Sequence, residues 1–245
     1  MYKLALSAAA LALATTALQA QAEGDSGFYV AGFLGGGFPG DAELTGTQQP
    51  VAGSPGLAGD PARIDVEYDG TTNYGIAVGY DLPWVFFGIM NPRMELEYSV
   101  IDADVSAGSF NGGVQSFGGD TKIEFFLINN YTDVIWQDNQ TLIPYFGGGI
   151  GAAKVEANVL YAGGGAPAPT FAATGDDTGL AGTFAGGVTF KAQNNWEFYG
   201  EARYYQIRDL NFERRFIGGG VDLFNANVSD DFDGTTLTAG VRRRF

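Results

Sequence analysis

Two short segments carry acidic and basic residues at alternate positions, a pattern suited to ion-pair chemistry. In the first segment, Arg93, Glu95 and Glu97 are separated by single apolar residues. In the second, Glu201 and Arg203 have the same spacing. Because successive side chains of a β-strand point to opposite faces, each set occupies one face of a strand. Facing carboxylates and guanidinium groups can form charge-assisted hydrogen bonds, or can line a polar pathway for ions.

The residue types most often used in catalysis are absent. The 245 residues include no histidine and no cysteine, so neither an imidazole base nor a thiolate nucleophile is available. The same lack leaves the chain poorly supplied with zinc ligands. We therefore expect no enzymatic activity, no cofactor and no metal site.

The acidic clusters indicate a solvated surface. Asp176 with Asp177, and residues 230–233, offer carboxylates of the kind that bind Ca²⁺, but neither matches the pattern of an EF-hand loop. The formal charge of −15 at pH 7 repels phosphate backbones, so we expect no nucleic-acid partner.

The N-terminal residues have the layout of a secretory signal peptide. Lys3 precedes an apolar run over residues 4–18, and Ala20 and Ala22 place small residues where a signal peptidase cleaves. The run is shorter than the roughly 20 residues that a transmembrane helix needs. We therefore expect export, with residues 1–22 removed and residues 23–245 forming one domain.

Alternation of apolar and polar residues predicts β-strands in the rest of the chain. The clearest case is residues 65–80, where Tyr74, Ile76 and Val78 alternate with small or polar residues, as in a strand with one apolar face. Roughly ten residues suffice for a tilted strand to cross a bilayer, so this strand would project beyond it. Eight candidate strands cover residues 28–38, 65–80, 93–101, 121–134, 143–155, 180–191, 196–207 and 236–245.

The connections between these strands alternate in length. The short ones are residues 81–92, 137–141 and 192–195. The long ones are residues 39–63, 102–120, 156–179 and 208–234. This alternation predicts tight turns on one rim and mobile loops on the other. The first short turn also carries Trp84, Val85, Phe86 and Phe87, which we expect at the membrane interface.

These patterns predict an all-β fold: a transmembrane antiparallel up-and-down β-barrel of eight strands, with short periplasmic turns and long extracellular loops. Strand faces rich in aromatic residues favour contact with lipid, where every backbone polar group must be paired, as in a closed barrel. An exported, soluble β-sandwich is the alternative, and it predicts a protein that needs no detergent.

Four segments, in this order along the chain, resemble the eight-stranded outer-membrane β-barrel family, which includes the OmpA-like and OmpX-like proteins. They are residues 93–98, 144–151, 201–205 and 239–245. The resemblance implies a barrel in the cell outer membrane, surrounded by its lipids and by lipopolysaccharide. It also implies that Phe245 is an assembly signal, read by the barrel-assembly machinery through the C-terminal strand. Small outer-membrane enzymes of similar fold use a histidine base, which this chain lacks.

The third and seventh strands of an eight-stranded barrel lie opposite each other, so their charges should meet across the lumen. We expect Glu95 and Glu97 to reach Arg203, with Arg93 near Glu201. The interior of so small a barrel is filled by side chains, and an unpaired charge there is costly. These pairs should therefore plug the lumen.

The expected function is a structural or surface-interaction role, in which the loops meet lipopolysaccharide, host or phage surfaces. The alternative is a narrow porin-like channel for ions or small solutes, gated by rearrangement of the same Glu and Arg pairs. The long loops favour the first hypothesis.

Overall fold

The structure is a computed structural model that describes residues 27–163, 166 and 168–245. The predicted signal peptide, residues 1–22, lies outside the described residues. Ten strands occur in the described part: β1 (Phe28–Pro39), β2 (Ala42–Gln48), β3 (Pro61–Asp81), β4 (Met90–Phe110), β5 (Gly113–Val114), β6 (Ser116–Val134), β7 (Leu142–Ala162), β8 (Phe171–Lys191), β9 (Trp196–Phe216) and β10 (Leu223–Arg244). One 3-10 turn, Gly218–Gly220, precedes β10. Among the described residues, no helix is long and apolar enough to cross a membrane.

Eight of the strands form an antiparallel ring. The ring runs β1, β3, β4, β6, β7, β8, β9, β10, and it closes because β10 pairs with β1. The shorter β2 pairs with β10 and β3 on the far side of an interruption at Gly40 and Asp41, and so continues the line of β1. The two-residue β5 pairs only with the end of β4. The predicted all-β antiparallel fold is confirmed, with ten strands instead of eight because of these two additions.

Strand pairing in the ring is irregular between β3 and β4 and between β9 and both of its neighbours. Register shifts occur between Asp69 and Thr72 in β3, and between Asp230 and Phe232 in β10. Between β8 and β9, pairing is interrupted from Thr174 to Leu180. Bulges of this kind bend a strand and increase its twist.

The strands are longer than the sequence patterns predict. β3 and β4 each have 21 residues, and β10 has 22, about twice the length that crosses a bilayer. Strand therefore replaces much of the four predicted long loops. What remains between the strands at that rim is residues 49–60, 111–112, 115 and 217–222, together with the described residues 163, 166 and 168–170.

Exposed apolar side chains form a band around one half of the barrel, here called the lower half. Each of the eight ring strands contributes a large apolar side chain that is more than half exposed: Leu34, Ile76, Leu96, Ile128, Ile150, Phe184, Phe198 and Leu237. The lower half comprises residues 28–38, 72–81, 93–100, 125–134, 142–151, 180–191, 196–206 and 235–245. Phe28, Phe245 and the short turns lie at its rim.

The remaining strand residues, here called the upper half, bury their apolar side chains inside the ring. Most of the main hydrophobic cluster lies here, including Leu44, Ile64, Val105, Ile207 and Phe212. The outward positions between them are polar. The upper half is thus built like a water-soluble barrel, with an apolar core and a polar surface.

Candidate functional site

The inward positions of the lower half carry the predicted charges. Arg93, Glu95 and Glu97 lie on β4, and all three are buried. Glu201 and Arg203 lie on β9 and are also buried. Their chain neighbours on both strands point outward into the apolar band, because the period of a strand is two.

Arg203 reaches Glu97 across the lumen. Its Nη1 lies 2.5 Å from Glu97 Oε1 and its Nη2 lies 2.8 Å from Oε2, a bidentate pair of the kind that fixes both position and orientation. Arg203 Nε also donates to Glu201 on its own strand, at 3.0 Å. Strands β4 and β9 lie opposite each other in the ring, so this pair spans the barrel.

Polar neighbours satisfy the remaining capacity of the pair. The Ser99 hydroxyl donates to Glu97 Oε1 at 2.8 Å, and the Asn129 amide donates to Glu97 Oε2 at 2.9 Å. Arg203 Nη2 donates to the Tyr131 hydroxyl at 3.0 Å. A buried ion pair whose hydrogen bonds are all satisfied is rigid, because neither ion can reach another partner at lower free energy.

Arg93 has different partners from those the sequence suggests. Its carboxylate partners are Asp133, with 3.0 Å between Arg93 Nε and Asp133 Oδ1, and Glu95; Glu201 is bound by Arg203 instead. The guanidinium carbon lies 4.3 Å from the ring centroid of Tyr131, a cation–π contact. The stagger of the strands around the ring decides this partner choice, and the sequence alternation does not reveal it.

The C-terminal strand supplies two further arginines that the analysis of the sequence did not include in the site. Arg242 Nη1 lies 3.0 Å from Glu197 Oε2, and Arg244 Nε lies 2.7 Å from Glu197 Oε1. Arg244 also contacts Asp81. The signal that would have found them is the alternation that places both on the face opposite Arg243, whose guanidinium lies 5.3 Å from the Trp196 ring.

The network holds more acid than base. Its ion pairs join four guanidinium groups to six carboxylates. Tyrosine hydroxyls support two of the carboxylates: Tyr29 donates to Glu95 at 2.7 Å, and Tyr145 donates to Glu201 at 3.1 Å. Neutral tyrosine hydroxyls thus stabilise part of the negative charge that the four arginines do not balance.

Inward tyrosines fill the space beside glycines on neighbouring strands. A Cβ atom on Gly79 would lie 2.1 Å from Tyr29 Cζ, and one on Gly240 would lie 2.2 Å from Tyr199 Cζ. Only glycine allows the rings to lie this close to the barrel wall. The tyrosines and the ion pairs thus share the interior of the lower half.

Within the described residues, two small cavities adjoin Arg203, one on each side of it. Each has a volume of about 10 Å³, the space of about one water molecule. The first is bordered by Phe33, Glu201 and Arg242, and the second by Asn73 and Thr236, with Arg203 bordering both. The Asn73 Oδ1 and Thr236 Oγ1 atoms are buried without a hydrogen-bond partner among the described residues.

The family model of the outer membrane protein beta-barrel domain matches residues 7–245. The chain belongs to this outer membrane protein β-barrel family. The predicted resemblance and the predicted location in the outer membrane are confirmed. Membership also implies an environment of lipid and lipopolysaccharide.

Solved structures of outer-membrane proteins are similar to the chain. The outer membrane protease OmpT from Escherichia coli matches with a TM-score of 0.50 and 9% identity, over 93% of this chain and 99% of that chain. A major outer membrane protein from Thermus thermophilus matches with a TM-score of 0.48 and 11% identity, over 88% and 99%. OprG from Pseudomonas aeruginosa matches with a TM-score of 0.44 and 13% identity, over 88% and 95%. No curated protein matches the sequence.

The family assigns the two halves of the barrel to two environments. The apolar band of the lower half lies in the membrane, with the short turns at the periplasmic rim. The upper half therefore stands outside the cell. The described end of the chain, Phe245, lies at the periplasmic rim, where its N–H donates to the Phe28 carbonyl at 3.0 Å; its role as an assembly signal stays a prediction.

The upper half of this outer-membrane barrel holds a buried arginine of another kind. The Arg214 guanidinium carbon lies 4.1 Å from the ring centroids of both Phe110 and Phe171, and Arg214 also donates to Asn225. Asn225 in turn donates to the Pro55 carbonyl at 2.7 Å. Arg214 therefore ties residues 49–60 to the outer mouth of the barrel.

The acidic clusters considered for cations serve the backbone instead. Asp177 accepts the Asn211 N–H at 2.9 Å, and Asp230 accepts the Glu43 N–H at 2.6 Å. Within the residues that the structure describes, no three acidic side chains are grouped as a metal site requires.

Proposed function

We propose that this outer-membrane barrel has a structural, surface-interaction role, with a lumen plugged by its inward Glu and Arg pairs. The observation that carries the proposal is the bidentate pair of Arg203 and Glu97, which joins opposite walls of the barrel. Opening the lumen requires this pair to separate. Each separated ion would stay buried without its partner, at a cost of several kcal/mol.

Aromatic side chains add a second obstruction above the pair, where the lower half meets the upper half. Phe125 and Tyr205 lie within the lumen 5.4 Å apart, in an edge-to-face contact, and both are buried. Ile207 and Phe212 continue the apolar core above them. Ions do not pass through a packed apolar core, because such a core offers no ligands in exchange for water.

The outward surface of the upper half suits it to meet other molecules. Most of its basic residues are held in ion pairs, among them Arg63 with Glu43, Lys154 with Glu156, and Arg215 with Asp222. The remaining exposed carboxylates give the outer surface a net negative charge. Host or phage surface ligands with basic patches fit this surface, and the rigid strands present it at a fixed distance from the membrane.

A narrow porin-like channel is the second candidate. The two cavities on either side of Arg203 favour it, because movement of this one side chain would join them. The excess of carboxylates in the network would then favour cations.

We infer that the protein is not an enzyme. OmpT is a protease, but at 9% identity its likeness to this chain concerns the fold alone. The chain has no histidine and no cysteine, so activation of a nucleophile or a water would depend on carboxylates or lysines. The carboxylates of the lumen are already bound to arginines and tyrosines.

Single-channel conductance of the refolded protein in a planar bilayer tests the proposal. Three forms are compared: the wild type, Arg203→Ala, and the matched control Arg215→Ala, which removes an arginine of the outer surface. Insertion is checked for each form by protease protection of the strands. We expect silence from the wild type and the control. Discrete openings from Arg203→Ala would show that the ion pair is what closes the lumen.

Discrete openings from the inserted wild type would overturn the closed-lumen proposal in favour of the channel. Silence from an inserted Arg203→Ala variant would show that the ion pair is not what closes the lumen, and would assign closure to the apolar core of the upper half.

A further inference from the structure

The hairpin that joins β3 to β4 differs in composition from the other periplasmic turns. Residues 82–90 have the sequence LPWVFFGIM. None of these residues has a charged, hydroxyl or amide side chain. Residues 137–141 read QDNQT and residues 192–195 read AQNN, as expected for turns in water. The first hairpin, here called the aromatic hairpin, is therefore unusual for a segment at an aqueous rim.

The apolar side chains of the aromatic hairpin are exposed together. Trp84 is 57% exposed, Phe86 is 52% exposed and Phe87 is 91% exposed. Val85 between them is exposed as well. A contiguous apolar patch of this kind marks a surface that contacts another apolar phase.

The backbone at the tip of the aromatic hairpin has a conformation that is unfavourable for the phenylalanine found there. Phe87 has a φ of 53° and Gly88 has a φ of 74°, and the Ile89 N–H donates to the Phe86 carbonyl at 3.2 Å. Two central residues with positive φ characterise a type I′ turn, for which Asn-Gly is preferred. A bulky aromatic residue in this region is strained.

Other positions of the barrel follow the preference that Phe87 breaks. Among the described residues, every other non-glycine residue with positive φ is Asn or Asp: Asn111, Asn139, Asn194, Asn195 and Asp209. Phe87 makes the turn less favourable, and its side chain gains no burial against the described residues. A residue that breaks a local rule in this way points to a contact outside the fold.

We propose that the aromatic hairpin is a lipid anchor, whose Trp84, Phe86 and Phe87 side chains insert into phospholipid at the periplasmic face of the outer membrane. Continuity with the apolar band identifies this partner. The Ile135 N–H donates to the Ile89 carbonyl at 2.8 Å, which places the hairpin beside the exposed Trp136 at the same rim. Tryptophan and phenylalanine side chains suit the boundary between headgroups and acyl chains.

The anchor would act on one side of the barrel only. The two other periplasmic turns are polar, so the wall formed by β3 and β4 would be held more firmly at the membrane interface than the opposite wall. Because Glu97 lies on β4, the anchor would hold in place the strand that carries one partner of the central ion pair.

Depth-dependent fluorescence quenching tests this proposal on the full barrel. Trp136→Phe and Trp196→Phe together leave Trp84 as the remaining tryptophan, since the chain contains three. This variant is refolded into phosphatidylcholine vesicles that carry bromine on their acyl chains, and acrylamide serves as the aqueous quencher. A matched variant that keeps only Trp196, in the apolar band, is the reference for contact with lipid.

We expect the brominated lipid to quench Trp84 about as strongly as Trp196, and acrylamide to quench both weakly. Strong quenching of Trp84 by acrylamide with none by brominated lipid would overturn the proposal, because the hairpin would then project into water. Protection from both quenchers would also overturn it, and would identify a protein surface, such as a second copy of the chain, as the partner.

Phe87→Asn distinguishes the contact of Phe87 with lipid from its effect on the turn conformation. The change creates the Asn-Gly pair that a type I′ turn prefers, so the hairpin should keep its shape while losing its most exposed aromatic side chain. We expect weaker quenching of Trp84 by brominated lipid and no loss of folded barrel. Unchanged quenching would contradict the role assigned to Phe87.

Discussion

Below the middle of the barrel, charged side chains face the lumen and apolar side chains face outward, whereas above it the arrangement is reversed. On β9, Glu201 and Arg203 point inward in the lower half, and Phe198 points outward. Further along the same strand, Phe212 points inward and Glu213 points outward. One continuous strand thus serves two environments.

The difference shows which phase supplies the apolar contact in each half. In the lower half lipid surrounds the barrel, so the outer face is apolar and the interior is free to hold ion pairs. In the upper half water surrounds the barrel, so apolar burial must occur inside it. We therefore expect the lower half to depend on the pairing of charges, and the upper half to depend on the volume of its core.

The largest effect should come from breaking the central ion pair of the lower half. Arg203→Ala leaves Glu97 and Glu201 buried without their main partner, which should lower the free energy of unfolding by about 3–5 kcal/mol. The measurement is urea denaturation of the refolded protein in lipid vesicles. Arg215→Ala, whose ion pairs are solvent-exposed on the upper half, should cost about 0–1 kcal/mol. Equal losses from the two changes would contradict the contrast between the halves.

A core truncation in the upper half should have the next largest effect. Ile207 is fully buried in the apolar cluster, so Ile207→Ala should leave a cavity and lower the free energy of unfolding by about 2–4 kcal/mol. The matched change is Ile128→Ala on the outer face of the lower half, where lipid fills the space that the side chain leaves. Denaturation in the same vesicles compares the two. A larger loss of unfolding free energy from Ile128→Ala than from Ile207→Ala would contradict the expected difference between the two halves.

The reversal between the halves also explains how far the sequence predicts the fold. On β4, Leu96 faces outward to lipid, whereas Ile101 and Val105 face inward to the upper core. The inward positions keep the same parity along this strand, but the apolar positions change parity. A search for one apolar face therefore ends the strand near the membrane boundary and assigns the rest to a loop.

The site was predictable to a different extent. Alternation alone places Arg93, Glu97 and Arg203 on inward faces, because the period of a strand is two. It places Arg242 and Arg244 equally well, since both lie on the face opposite Phe245. The partner of each arginine depends on the stagger between strands that are far apart in sequence, so the pairing of Arg93 with Asp133 required the structure.

Filling the space beside an inward tyrosine should have a smaller effect. A Cβ atom on Gly240 would overlap the Tyr199 ring, so Gly240→Ala should cost about 1–3 kcal/mol through overpacking of the lower lumen. Gly182→Ala on β8 is the matched control, because a Cβ there meets no atom within 4 Å. Thermal unfolding of the two variants, followed by the mobility shift of the folded barrel on gels, measures the difference. A cost for Gly182→Ala equal to that for Gly240→Ala would assign the effect to strand propensity.

The smallest predicted effect concerns a carboxyl group of the upper half that has no arginine. Asp230 is half-buried on β10, on the face that carries the buried Val228. Partial burial raises the pKa of Asp230 to about 6, although the Glu43 and Asp231 N–H groups that donate to it act in the opposite direction. Among the described residues, no lysine or arginine forms an ion pair with it, in contrast to the carboxylates of the lower lumen.

Because the pKa of Asp230 is higher in the folded state than the ordinary value near 3.9, the folded protein binds the proton more tightly than the unfolded one. This contribution stabilises the fold at low pH and is lost as the pH rises from about 4 to about 6. Asp230→Asn should therefore flatten the fall in stability over that range by an amount of the order of 1 kcal/mol, discounted for solvent screening. The slope is the quantity to measure, by denaturation at several pH values, because the amide also leaves one backbone N–H without its acceptor. A slope identical to that of the wild type would mean that water reaches this carboxyl freely, and that the interior of the upper half is less apolar at the β10 bulge than the rest of its core.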